Sequence, residues 1–163
     1  MTLLSKSRLT AGAATTAVAA VTAAVALAVP PPPSGTFAGT TSQTKLKEHN
    51  ISLTTDANGH VASATINWQA KCKKKGKFWT ATTVVNGGSD GLQQNGDVFI
   101  RKGSYTGNAG GGIKGKVTVN LQGAFTDNDN AKGTWSTKVV VRKKGKKIDS
   151  CKTPKITWSV TRG

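Results

Sequence analysis

Between residues 116 and 125 apolar and polar side chains alternate. Val117, Val119, Leu121 and Phe125 fall on one side, and Lys116, Thr118, Asn120 and Gln122 on the other. A period of two is the repeat of a pleated strand with one face buried, because successive side chains leave the backbone in opposite directions. The pattern recurs along the chain. Ala62, Ala64, Ile66 and Trp68 oppose Ser63, Thr65 and Asn67; Ile156, Trp158 and Val160 alternate with Thr157, Ser159 and Thr161; Trp135, Val139 and Val141 mark a fourth stripe. Weaker runs cover residues 36–42, 46–54, 78–85 and 98–106. No segment shows the three- and four-residue spacing of an amphipathic helix. Turn-forming residues separate the runs, at Asp56-Ala57-Asn58-Gly59, in the glycine-rich stretch 86–96, at 107–112 and at 127–130. About eight strands with short connections predict an all-β fold, a small antiparallel β-barrel or alternatively a two-sheet β-sandwich.

The first residues follow a different logic. Lys6 and Arg8 precede a stretch, 11–29, that is uncharged and built almost wholly of Ala, Val and Thr. Ala26-Leu27-Ala28 offers small residues for a signal peptidase, and Pro30 to Pro33 stop any helix. The sequence therefore predicts a Sec-type signal peptide over residues 1–28, a Pro-rich linker over 29–35 and a secreted all-β domain over 36–163. No transmembrane segment is expected to remain after cleavage. Such a chain belongs outside the cell or at the cell wall, and a monomer is expected.

Charge narrows the partners. The chain holds 23 lysines and arginines against 7 acids. Only Lys6 and Arg8 of these lie in the first 34 residues, so the remainder carries a net charge of +14. An excess of this size attracts polyanions and says nothing about fold. An anionic cell-wall polymer, an acidic glycan and nucleic acid bound without sequence preference are the expected partner classes.

Cys72 and Cys151 are the only cysteines. In an exported domain an even pair predicts a disulfide. With His49 and His60 as the only histidines there is no zinc-type ligand spacing, so neither a metal nor a cofactor is expected. Lys71, Lys73, Lys74, Lys75 and Lys77 surround Cys72, while Arg142, Lys143, Lys144, Lys146, Lys147 and Lys152 approach Cys151. A disulfide brings its α-carbons to about 5.5 Å, so the bond would gather both runs at one pole of the domain. Gly76 and Gly145 would turn each run and project its lysines from loop tips. Those lysines are the candidate polyanion-binding residues, and lysine in place of arginine implies point-charge attraction with little geometric selectivity. Phe78 and Trp79 follow the first run; parity predicts that one is buried and leaves the other to stack on a base or sugar.

Gly35-Thr36-Phe37 resembles the glycine, any residue, aromatic opening of streptavidin-like and lipocalin-like up-and-down barrels, with Phe37 where those families usually carry tryptophan. The layout of residues 35–161 is also similar to small secreted actinobacterial β-domain proteins of unknown function. There, as in Ile66-Asn67-Trp68 before Cys72 and Ile156-Thr157-Trp158 after Cys151, tryptophan strands flank the cysteines. The resemblance implies the fold and carries over no ligand-binding set.

Catalytic motifs fail on context. Gly87-Gly88-Ser89-Asp90-Gly91 spells a nucleophile elbow, but no helix follows it and both histidines lie upstream. Gly110 to Lys116 approaches a phosphate loop, but Val117 stands where a metal-binding hydroxyl belongs and a strand follows. A calcium loop beginning at Asp127 would place Lys132 and Lys138 at its glycine and bidentate-acid positions. Glu48 and His49 are neighbours on a strand and face opposite ways. The expectation is a non-catalytic binding protein, with a small-ligand barrel or a secreted inhibitor or effector as alternatives.

Overall fold

A computed structural model describes residues 32–46, 50–88 and 91–163. The expected leader and its cleavage site lie outside the described residues, as do Glu48, His49, Ser89 and Asp90. Ten strands run in order: β1 (Gly35–Thr41), β2 (Asn50–Thr55), β3 (Val61–Cys72), β4 (Phe78–Asn86), β5 (Gln93–Asn95), β6 (Val98–Asn108), β7 (Ile113–Phe125), β8 (Asn130–Lys143), β9 (Lys146–Lys152) and β10 (Ile156–Arg162). Their ladders are antiparallel throughout. The all-β expectation stands, with two strands more than the alternation indicated.

One edge of β8 and one edge of β3 are each shared between two partners. β8 pairs β7 along one edge, while its other edge takes β10 at residues 130–135 and β9 at residues 138–143. β9 and β10 are one run broken at Thr153-Pro154-Lys155, where proline has no N–H for a ladder. β3 pairs β4 along one edge, and its other edge takes β2 at residues 61–66 and β9 at Lys71 and Cys72. The hairpin β1–β2 thus wedges between β10 and β3, and the pairing circuit β1–β2–β3–β9–β8–β10 returns to β1. Two side chains fill the forks. The Gln43 amide donates to Gln69 O at 2.8 Å and accepts from Gln69 N at 2.9 Å, standing in for a strand. Thr153 Oγ1 accepts from Thr137 N at 2.9 Å, and Thr153 N donates to Thr137 O at 3.0 Å. Backbone groups at a split in a sheet would otherwise go unpaired.

The inward faces meet in one core, with Trp68, Trp135, Phe37, Phe99 and Phe125 fully buried. Phe37 and Phe99 lie tilted against Phe125, with centroids 5.6 and 5.5 Å away. Gly123 and Gly133 make room for these rings: a Cβ on Gly123 would come 2.4 Å from Phe99, and one on Gly133 2.5 Å from Trp158. The Phe78–Trp79 parity resolves as expected, Trp79 inward and Phe78 outward.

One expectation needs correction. Ala62 is exposed and Val61 takes its place in the core, because a register shift at Thr54/Thr55 inserts an extra residue on β3. Of the run 46–54, residues 50–54 lie in β2.

Candidate functional site

The fold brings the two cysteines to directly opposite positions on adjacent strands. Cys72 of β3 pairs with Cys151 of β9, and a disulfide joins them with α-carbons 3.7 Å apart. Around that bond the register dictates where the lysines go. Lys71 lies opposite Lys152, and Lys152 lies opposite Lys138 on its other side. One row therefore crosses β3, β9 and β8 with a lysine at each step. A second row joins Lys114 of β7, Arg142 of β8 and Lys147 of β9, and Lys143 faces Lys146 at the end of the hairpin. These side chains are exposed.

Between the rows lies a groove of about 940 Å³. Lys71, Lys73, Lys138, Lys147 and Lys152 ring it, and Val140, Pro154 and the cystine supply an apolar floor. Lys73 is tied to the rim by its N–H, which donates to Ser150 O at 2.9 Å. Asp149 is the one acid nearby, and it is spent on backbone: it accepts from Ser150 N at 2.7 Å and from Lys74 N at 3.4 Å. It thereby fastens the 73–76 turn to β9. Among the described residues the single carboxylate–base contact is Asp56 with His60, 3.9 Å apart in an exposed turn.

The sequence-predicted lysines divide into three groups. Lys71, Lys73, Lys147 and Lys152 line the groove, with Arg142 one register step away in the Lys114–Lys147 row. Lys74, Lys75 and Lys77 sit on the turn through Gly76, whose φ is +71°, and Lys143, Lys144 and Lys146 on the hairpin tip at Gly145, φ +79°. The expectation that all project from loop tips is thus half right, since Lys71, Lys147 and Lys152 stand on paired strands. Lys138, Lys114 and Lys116 also belong to this face and escaped the sequence reading. Each is an isolated lysine on a polar stripe, and only long-range register makes it a neighbour of the others.

Elsewhere the chemistry is structural. Gly110, Gly111 and Gly112 form the β6–β7 turn with positive φ, and Lys116 points outward from a strand. Asp127 holds its own turn, accepting from Asp129 N at 2.8 Å and from the Asn130 amide at 2.9 Å. These bonds keep its carboxyl below the ordinary carboxylate value. The nucleophile-elbow sequence is flanked by β4 and β5, not by a helix. Among the described residues no three His, Cys, Asp or Glu side chains cluster as a metal site. No helix among them is long and apolar enough to cross a membrane.

A small-ligand carrier would use a central cavity, and the inward-facing aromatic side chains pack in one buried cluster. A cleft of about 490 Å³ instead marks the seam where β4 meets β6, with Thr83, Tyr105 and Arg101 on its walls. There Trp68 Nε1 donates to Thr83 Oγ1 at 2.8 Å, and Thr83 Oγ1 shares a 2.6 Å hydrogen bond with Tyr105 OH. Burial raises the Tyr105 phenol above its ordinary pKa, partly opposed by that bond.

Comparison with family profiles, with curated proteins and with solved structures found no match.

Proposed function

We propose that the protein is an exported, non-catalytic β-barrel that captures linear polyanions on the lysine face around its disulfide. The observation that carries the reading is where Lys152 sits. Lysines on strands are usually explained as guards of sheet edges against aggregation. Lys152 lies where β9 is paired on both sides, and its two register neighbours are Lys71 and Lys138. Like charges directly opposite one another destabilise a sheet, and no edge here needs guarding. A cost to the fold with no structural return supports a ligand that repays it.

The mechanism is electrostatic. Phosphates or carboxylates of a chain lying along the groove replace the counterions of Lys71, Lys73, Lys138, Lys147 and Lys152, and release of those ions drives binding. The apolar floor leaves room for the uncharged part of the polymer backbone. A secreted, wall-associated setting, which the leader sequence and the disulfide support, would supply such chains as wall polymers, acidic glycans or released nucleic acid.

Binding of fluorescent polyanions at a series of salt concentrations tests the reading. With five groove lysines engaged, the log–log salt slope is expected at roughly −3.5 for a single-stranded polymer. Replacing Lys138 and Lys152 with Ser removes two charges and should flatten it by about 1.4. If phosphate and carboxylate polymers all fail to bind at low salt, or the double variant binds like wild type, the proposal is wrong.

A further inference from the structure

We infer that the polyanion is single-stranded nucleic acid, with Phe78 as the platform for one of its bases. This rests on the polyanion reading and names the chemical class that the same face selects. Phe78 is the first residue of β4 and pairs directly with Lys71, extending the lysine row by one strand. The row then reads Phe78, Lys71, Lys152, Lys138 across four adjacent strands, about 4.8 Å apart. Phe78 is 54% exposed, while its neighbour Trp79 is buried. The local sequence thus turns the smaller ring outward beside the charges and puts the larger one in the core.

An aromatic ring beside a cationic track is the arrangement that binds single strands without sequence preference, phosphates on the track and a base on the ring. Wall polymers and acidic glycans offer the same charge, and a sugar ring can lay only a C–H face on Phe78, whereas an unpaired base lays a full planar π-face on it. A duplex leaves Phe78 idle, because its bases are already stacked on one another, and among the described residues no helix projects from this face to enter a groove. Lysine point charges and an unshaped aromatic face both argue for tolerance of base identity. The row reaches past the ring on one side only, so one base is expected to stack for every track of three phosphates.

The test uses the full disulfide-bonded protein and three probes at low salt: a thymidine oligonucleotide, an abasic oligonucleotide of equal length, and inorganic polyphosphate of equal charge. The thymidine strand should bind roughly 5- to 150-fold more tightly than the abasic one, the range that one stacked base provides. Phe78→Ala should remove that preference and leave abasic and polyphosphate binding unchanged; Phe78→Trp should keep it. Because Phe78 is 54% exposed at the start of its strand, both variants should stay folded, with Phe78→Ala losing no more than about 1 kcal/mol of strand propensity and packing in denaturant unfolding. Equal binding of thymidine and abasic strands, or an unchanged preference in Phe78→Ala, overturns the inference and leaves polyanion capture standing. Failure of all three probes to bind overturns both.

Discussion

Relieving the charge conflict at Lys152 should stabilise the fold while weakening the ligand. Lys152→Thr leaves β9 with a residue suited to an exposed strand and removes a cation flanked by Lys71 and Lys138. Opposed Cβ atoms sit about 5 Å apart, and the flexible stems let the ammonium groups spread to about 7 Å. In water each such pair costs about 0.6 kcal/mol, so two cost about 1.2 kcal/mol where screening is weak. At ~10 mM salt the Debye length is about 30 Å and nearly all of that repulsion acts; at ~1 M it is about 3 Å and about a tenth remains. Lys132→Thr is the control, since Lys132 faces Ala124 and Ser159 and gains only the strand propensity. Urea unfolding of both variants should show Lys152→Thr more stable than Lys132→Thr by about 1 kcal/mol in low salt, roughly half a molar in midpoint. The difference should disappear in ~1 M salt. The same substitution should weaken polyanion binding and flatten its salt slope by about 0.7. A low-salt difference of zero would mean that the ammonium groups already avoid one another, and the claim that this face costs stability would be lost.

The disulfide closes a separation of 79 residues, for which the chain-entropy relation gives about 4.5 kcal/mol. Replacing Cys72 and Cys151 with Ala should lower denaturant stability by that order and weaken polyanion binding; an unchanged midpoint would refute it. Thr83→Val should cost about 1–3 kcal/mol by leaving the buried Trp68 indole N–H without its acceptor, whereas Thr83→Ser should restore most of it in the same unfolding assay. For Asp127 the folded pKa is depressed, so its contribution is present above the unfolded value and is lost as pH falls through the folded one. An NMR titration should place its midpoint below that of an unstructured aspartate, and Asn130→Ala should move the midpoint up.

What the sequence made legible depended on how local the cause was. Alternation placed β7 and β10 on the right faces, because period two is a property of a few consecutive residues. The Phe78–Trp79 parity followed from the same rule. The disulfide was readable because only one pairing exists for two cysteines. Ala62 was misread because the register shift opposite Thr54/Thr55 depends on the partner strand, which the residues of β3 do not reveal. β9 carries no strand signal of its own: Lys146–Lys152 has no apolar alternation, and it is a strand because β8 on one side and β3 at its end on the other supply its hydrogen bonds. That absence hid Lys138. A single lysine on a polar stripe says nothing until β9 is laid against it.

The disulfide explains how the sheet tolerates the charge it collects. β3 and β9 share a ladder of just two residue pairs, Lys71 with Lys152 and Cys72 with Cys151. A two-pair ladder is a weak junction, and one of its pairs is itself repulsive. Without a covalent link the cheapest relief is for β9 to peel from β3, which separates Lys71 and Lys73 from Lys147 and Lys152 and opens the groove. The cystine forbids that motion, while β8 holds β9 from its other side. Asp149 adds to the restraint by accepting from the backbone of Lys74 and Ser150 instead of neutralising a lysine. The bond and the carboxylate thus act on the backbone and leave the ammonium groups unpaired. A protein selected only for stability would place Asp149 against a lysine or replace one of the row; here the strands are braced and the cations stay exposed, the arrangement that the proposed polyanion capture requires.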